Sequence, residues 1–415
     1  MTVELLSIGS ELLLGATIDT NAAWIARRLA DEGIQVSRKT TVGDDVADIR
    51  AALEEGLRRS RTVICTGGLG PTRDDLTRDA VATLYGRPLR IDEGWLGVLH
   101  ERFAARGIEM PAANRVQAEL PGGALLLPNE HGTAPGVVID DDDLGLTVLL
   151  PGVPTEMRGL MGSHVVPLLR ERLGPLHAVQ LRVIRTTGIA ESIIAGLIDD
   201  IAADVAPLTL AFLPHLAGVD LRLAAWTDES AAALDRVHQR LAERLGPYVY
   251  ARDETDLAVV VGHELRSRRL TLALAESCTG GLLSKRLSDE PGASAFLRAA
   301  FVTYANAAKR DLIAVTVQTL AMHGAVSERC AREMADGARR MADADVGVSI
   351  TGVAGPGGGS EAKPVGTVWV AVSHRAATRA KLLRLAGNRM EIRERAAQAA
   401  LDMLRRTLTG LSDGP

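Results

Sequence analysis

Long apolar runs, paired cysteines, clustered histidines and a dominant charge sign are all missing from this sequence, and each absence removes a class of protein. No stretch of about 18 apolar residues occurs, so no membrane-spanning helix is expected. Residues 1–14 hold no basic segment and no small-residue cleavage site, so no secretory leader is expected. Cys65, Cys278 and Cys330 are odd in number, far apart and without a CxxC pair. That pattern fits reduced thiols in a cytoplasmic protein better than a disulfide framework. The 9 histidines include no HxH and no HExxH spacing, which argues against a zinc site. With 47 Lys and Arg against 52 Asp and Glu the net charge is −5, so direct nucleic-acid binding is not expected. Lysine itself is scarce: only Lys39, Lys285, Lys309, Lys363 and Lys381 stand among the basic residues, the rest being arginine. A lysine inside a motif therefore draws attention.

What is present reads as a soluble, globular α/β chain. Hydrophobic residues are 47% and charged residues 24% of 415, enough for about three domains. Residues 1–175 alternate strand and helix, with strands at 3–8, 36–41 and 62–66 and later near 124–127, 136–139 and 146–150. This order predicts a three-layer domain with a parallel sheet. Thr20 and Asn21 are candidate caps for the first crossover helix, and Asp140 to Asp143 read as a hairpin turn. Residues 176–252 follow the order β-α-β-β-α-β, which predicts a small ferredoxin-like α+β domain. It has neither a GxxG loop nor aromatic RNA-binding motifs, which favours a structural or interdomain role. Residues 253–415 are again α/β, with Thr255 a candidate cap for the first helix.

Two strand-to-loop corners suggest chemistry. In the first domain, a buried strand runs into Gly67-Gly68-Leu69-Gly70-Pro71-Thr72, and Asp74 and Asp75 are expected to open the next helix. Glycines let a backbone approach a phosphate closely, although a tight turn needs the same residues. The two carboxylates suit a helix N-terminus, and equally a divalent cation bridging to phosphate oxygens.

The run from Thr66 to Asp75 resembles the molybdopterin-binding-like domain of the CinA (competence/damage-inducible protein A) family. So do Gly9-Ser10-Glu11-Leu12-Leu13-Leu14-Gly15, Asp19-Thr20-Asn21, Asn129 with Gly132 and Pro135-Gly136, and Leu150-Pro151-Gly152-Val153-Pro154-Thr155-Glu156-Met157. The resemblance covers essentially the whole chain. It implies metal-dependent ADP-ribose pyrophosphatase activity, with a divalent metal ion as cofactor. The nucleotide site would draw on Glu11, Asn21, Gly67, Gly68, Gly70, Pro71, Thr72, Asn129, Gly132, Gly152, Pro154 and Glu156. Asp74 and Asp75 are the candidate metal ligands. In the middle domain, Thr187-Gly188-Ile189-Ala190-Glu191-Ser192 is similar to a family stretch, but Ala190 replaces an expected polar residue.

In the third domain a strand leads into Glu276-Ser277-Cys278-Thr279-Gly280-Gly281. A nucleophile at such a corner stands above the sheet beside free backbone N–H groups. Ser277 can also be read as a helix N-cap, and Cys278 as a rival nucleophile or a buried inert thiol. No histidine pairs with Ser277, but a buried lysine of lowered pKa can serve as base. Lys309, at the end of Thr303-Tyr304-Ala305-Asn306-Ala307-Ala308-Lys309, is the candidate, unless it is an exposed helix lysine. The Tyr304 hydroxyl can bridge Ser277 and Lys309, or Tyr304 can be core packing.

These stretches, with Gly324-Ala325-Val326-Ser327 and 351–358 followed by Lys363-Pro364-Val365-Gly366, resemble the nicotinamide-nucleotide amidohydrolases that form the C-terminal half of CinA proteins. The resemblance implies that nicotinamide mononucleotide is deamidated without a metal, by Ser277 with Lys309 as base and Tyr304 as helper. Glu276, Thr279, Gly280, Gly281, Asn306, Thr351, Gly352, Gly355, Gly357 and Gly358 would form the substrate site. A homo-oligomer is expected from the same resemblance. The competing expectations are a non-catalytic nucleotide- or pterin-binding protein acting through partners in competence or DNA damage, and a role in molybdenum-cofactor synthesis.

Overall fold

The computed structural model describes residues 2–173, 178–374 and 377–412. They fall into two compact units, divided between Val179 and Gln180. The expected boundary at 175/176 lies outside the described residues.

In the first unit, β1 (Thr2–Ile8), β2 (Gln35–Val42) and β3 (Thr62–Thr66) alternate with helices Thr20–Ala30 and Val46–Ser60. A short antiparallel pair follows, β4 (Leu89–Ile91) with β5 (Glu119–Pro121). Then come β6 (Leu125–Leu127), β7 (Gly136–Asp141) and β8 (Gly145–Leu150). The main sheet runs β2-β1-β3-β8-β7-β6, parallel through its first four strands and antiparallel at β7 and β6. Its two faces are covered separately. Ile25 and Leu29 pack on one side with Met157, Leu160 and Val165. Ile49, Leu53 and Leu57 pack on the other with Ala80 and Val81. That double coverage explains why β3 and β8 are buried at every position and read as continuous apolar runs. The β7–β8 connection is the expected hairpin, whose turn is closed by Asp141 accepting from the Asp143 and Leu144 amides.

Chain direction decides where a ligand site can form. From β1 the chain crosses to β2 on one side and then to β3 on the other, so loops part above the C-terminal ends of β1 and β3. Open α/β sheets bind ligands in such a crevice.

The second unit contains two sheets. β9 (Gln180–Thr186), β10 (Thr209–His215), β11 (Gly218–Ala225) and β12 (Val249–Ala251) form an antiparallel sheet ordered β10-β11-β9-β12, the ferredoxin-like arrangement. β13 (Leu272–Glu276), β14 (Leu297–Val302), β15 (Val346–Gly352), β16 (Thr367–His374) and β17 (Ala377–Arg384) form the order β14-β13-β15-β16-β17. Its first three strands are parallel and its last two antiparallel. From β13 the chain again crosses to both sides, which opens a second crevice above β13.

Two caps differ from expectation by one residue. Asp19 rather than Thr20 or Asn21 accepts from the Ala22 amide, and Asp256 rather than Thr255 accepts from Ala258. A carboxylate at the N-cap gains from the helix dipole as well as the hydrogen bond, and so displaces the neighbouring hydroxyl.

Candidate active sites

The crevice of the first unit is a cleft of about 500 Å³. It brings together the loops after β1, β3 and β8, and with them Glu11, Asn21, Gly67, Gly68, Gly70, Pro71, Asp74, Asp75, Gly152, Pro154 and Glu156. The glycines are needed for approach: a Cβ on Gly67 would sit 2.2 Å from the Ile8 carbonyl oxygen, and one on Gly68 2.1 Å from Thr77 Oγ1. The loop is anchored from behind. Arg78, buried, donates to the Leu69 and Gly70 carbonyls at 2.7 and 2.9 Å, and Thr77 Oγ1 donates to Gly67 O at 2.9 Å.

The two aspartates differ from their expected role. Neither opens the helix, which begins at Thr77 with Leu76 as its N-cap. Asp75 turns inward: its carboxylate accepts from the Gly70 amide at 2.7 Å, from the Thr72 amide at 2.8 Å and from the Thr72 hydroxyl. It thus occupies amides that a phosphate would otherwise use. Asp74 stays exposed. Among the described residues no group of three His, Cys, Asp or Glu side chains forms a metal cage. A donor set of one or two carboxylates does suit a hard cation whose remaining ligands are water and substrate phosphates. Of the two aspartates, Asp74 is the one whose carboxylate is not taken up by the loop's own amides.

Three residues expected at the nucleotide act as internal supports in this structure. Thr72 is engaged with Asp75. Asn129 is buried and donates to Ala134 O at 2.7 Å and to Glu156 Oε2 at 2.6 Å, so it positions Glu156. Gly132 leaves room for that carboxylate, which a Cβ would strike at 2.0 Å. Glu156 itself is half-buried, and burial raises its pKa against the opposing pull of Asn129, Arg102 and His131. Asn21 donates to Gly152 O at 2.7 Å, tying the first turn of the helix Thr20–Ala30 to the loop after β8, and its Oδ1 is buried without a partner among the described residues.

In the second unit the serine and lysine meet. Lys309 Nζ lies 3.0 Å from Ser277 Oγ, 2.7 Å from the Thr303 carbonyl and 3.3 Å from the Tyr304 carbonyl. Lys309 is 1% exposed and sits in the helix Asn306–Ile313, not on a solvated face. Burial lowers its pKa, and among the described residues no carboxylate pairs with it to restore the charge. Three oxygens surround the nitrogen, enough for the three N–H groups of an ammonium; once the amine is neutral, the two carbonyls take its two N–H groups and its lone pair is left for the serine hydroxyl. Ser277 is not a helix cap, since the next helix begins at Leu282 behind Gly281. Among the described residues no main-chain carbonyl accepts from the Cys278 or Thr279 amide, and both amides lie next to Ser277 in the chain. Cys278 is buried, and burial pushes its thiol up to about 11, so it holds little thiolate near neutral pH. All three cysteines are free.

Two expected roles change. Glu276 is buried, and its two oxygens accept from the Gly281, Leu283 and Ser284 amides at 2.8–3.1 Å. Its side chain is turned onto the main chain of the corner, which it shapes. The Tyr304 hydroxyl does not bridge Ser277 and Lys309. It is 58% exposed and accepts from Arg389 at 2.8 Å, while its main-chain carbonyl reaches the lysine. Thr351 donates to Ala325 O at 2.8 Å, fixing the end of β15. Thr279 Oγ1 is buried without a partner beside Gly280 and Gly281. Asn306 is exposed at the first turn of the lysine's helix, and Gly352, Gly355, Gly357 and Gly358 lie at and after the end of β15.

Sequence reasoning missed two arginines of the closing helix Arg389–Thr409. Arg389 donates to Gly355 O at 2.6 Å as well as to Tyr304, joining the glycine loop to the loop after β14. Arg393 donates to Thr279 O at 2.6 Å from Nη2. In an arginine-rich chain only their four-residue spacing beside the Asn388 capping box marks them.

Comparison with known proteins follows this division. Residues 254–408 match the model of the CinA C-terminal domain, 4–171 a probable molybdopterin binding domain, and 181–251 the damage-inducible protein CinA KH domain. A CinA-like protein of Gemmatimonas aurantiaca is 46% identical over 413 residues, covering 98% of this chain and 96% of its own. A putative competence-damage inducible protein of Symbiobacterium thermophilum is 45% identical over 427 residues, covering 100% of both. A crystal structure of a competence/damage inducible protein from Agrobacterium tumefaciens is 41% identical, with a TM-score of 0.36, over 37% of this chain and 93% of that one.

Proposed function

The chain belongs to the CinA family, and from that premise we propose that its C-terminal domain deamidates nicotinamide mononucleotide to nicotinate mononucleotide and ammonia. The observation that carries the chemistry is the buried Lys309 Nζ at 3.0 Å from Ser277 Oγ. The sequence resemblance supports the choice of nucleotide. Lys309 takes the hydroxyl proton as Ser277 Oγ adds to the carboxamide carbon. The Cys278 and Thr279 amides would bind the resulting oxyanion. The C–N bond breaks, and ammonia leaves with the proton that Lys309 returns. Water, deprotonated by the same amine, then cleaves the ester and frees Ser277.

A pH profile checks the base. Because burial lowers the Lys309 pKa, deamidation should rise with pH as the ammonium loses its proton, and level off below the usual lysine range. A rate that climbs all the way to that range would deny that burial prepares the amine.

We further propose that the N-terminal domain hydrolyses ADP-ribose to AMP and ribose 5-phosphate in the cleft above β1 and β3. A divalent cation there would neutralise charge on the phosphoryl oxygens, with Asp74 as its protein ligand. A chelator should abolish AMP release and leave ammonia release unchanged in the same preparation. Binding of ADP-ribose without AMP release, metal present, would instead make the cleft a non-catalytic nucleotide- or pterin-binding site.

A further inference from the structure

The cleft above β1 and β3 is lined by six carboxylates, Glu11, Asp19, Asp44, Asp74, Asp75 and Glu156, and among the described residues by no lysine, arginine or histidine. Hydrolysis there needs a group that takes a proton from water, and among these side chains a carboxylate is the group able to do so. Three of the six are engaged by their own surroundings. Asp19 accepts from Ser7 Oγ at 2.6 Å and from the Ala22 amide at 2.9 Å. Asp44 accepts from the Ser10 amide at 2.8 Å, and Asp75 from the amides of its own loop. Glu11 and Asp74 are exposed.

Glu156 differs from the other five. It is half-buried in the first turn of the helix Pro154–Leu160, and one of its oxygens is fixed by the 2.6 Å hydrogen bond from Asn129. Asn129 is 1% exposed and pinned at both ends, its Oδ1 accepting from the His131 amide at 2.9 Å and its Nδ2 donating also to Ala134 O. Glu156 Oε1 accepts from no described residue, so one oxygen is anchored and the other is left for a ligand. Burial raises the pKa of this carboxyl although Asn129, Arg102 and His131 oppose it, and a raised carboxylate is a better proton acceptor near neutral pH.

We propose that Glu156 is the general base of the N-terminal cleft, taking a proton from the water that attacks a phosphorus of the pyrophosphate. This rests on the ADP-ribose hydrolysis proposed above. The water oxygen forms the new P–O bond, the bridging P–O bond breaks, and the two phosphates leave as AMP and ribose 5-phosphate. Glu156 then passes its proton to solvent.

Glu156→Gln, in the full chain and assayed with Mg²⁺ and with Mn²⁺, keeps the shape and can still accept from Asn129, but takes up no proton at working pH. The kcat for AMP release should fall at least about 100-fold, with KM for ADP-ribose within about threefold. Wild-type kcat should decline on acidification through a pKa above the usual carboxylate range, where Glu156 becomes protonated, and the residual rate of the variant should lack that limb. Calorimetric titration should give both proteins the same ADP-ribose affinity, which also shows that the variant's cleft is intact. Equal kcat, a loss carried by KM or affinity alone, or an unchanged acid limb in the variant would overturn the base. No AMP from the wild-type chain with either cation would overturn the hydrolysis itself, and this inference with it.

Discussion

Replacing Lys309 by alanine, or even by arginine, should reduce kcat for deamidation on the order of 10³-fold or more. Alanine removes the base. Arginine keeps bulk and charge but does not give up its proton at working pH, so it has no lone pair for the Ser277 hydroxyl. The Ser277→Ala, Lys309→Ala double variant should be little worse than either single one, because the pair acts as a unit. Cys278→Ala should stay within about tenfold, because its thiol is buried and protonated and contributes packing. Ammonia release measured across this set decides. An active Lys309→Arg would overturn the base, and an inactive Cys278→Ala beside an active Ser277→Ala would move the nucleophile by one residue.

The second large effect concerns stability. Asp402 accepts from Arg405 at 2.7 and 3.0 Å and from Arg406 at 2.7 Å, all three residues being buried. The two guanidiniums reach on to the Pro247 and Val249 carbonyls, fastening the closing helix to the end of the ferredoxin-like sheet. Asp402→Ala leaves two buried cations without their anion. Breaking a buried pair from one side costs about 3–5 kcal/mol. The urea midpoint of the second unit's unfolding should fall accordingly, while Asp140→Ala, at an exposed ion pair with Arg172, should lower stability by no more than about 1 kcal/mol. Equal small effects for both would show that the Asp402 cluster does not hold the two sheets together.

Much of this architecture was legible because burial on two faces leaves a plain mark. Thr62–Thr66 and Leu272–Glu276 are short apolar runs ending in glycine-rich corners, and both corners lie where the sheets divide. Ser277 and Lys309 were legible as a pair through residue chemistry, a nucleophile without a histidine and a rare lysine after small neighbours. The supports were not. Main-chain acceptors such as the Thr303 and Tyr304 carbonyls leave no trace in residue type. Nor does sequence reveal that Glu276 and Asp75 turn inward to bind amides of their own loops, since a carboxylate beside glycines reads the same whether it faces a ligand or the backbone. Arg389 reaches back 85 residues to Tyr304 and Arg393 reaches back 114 to Thr279, and only the fold brings them together.

The central claim is that Ser277 attacks the carboxamide with Lys309 as its base. Ammonia released from nicotinamide mononucleotide by the wild-type chain and by Ser277→Ala, prepared side by side, tests it most directly. Steady release by the first and background release by the second is the predicted result. Equal release by both would contradict it.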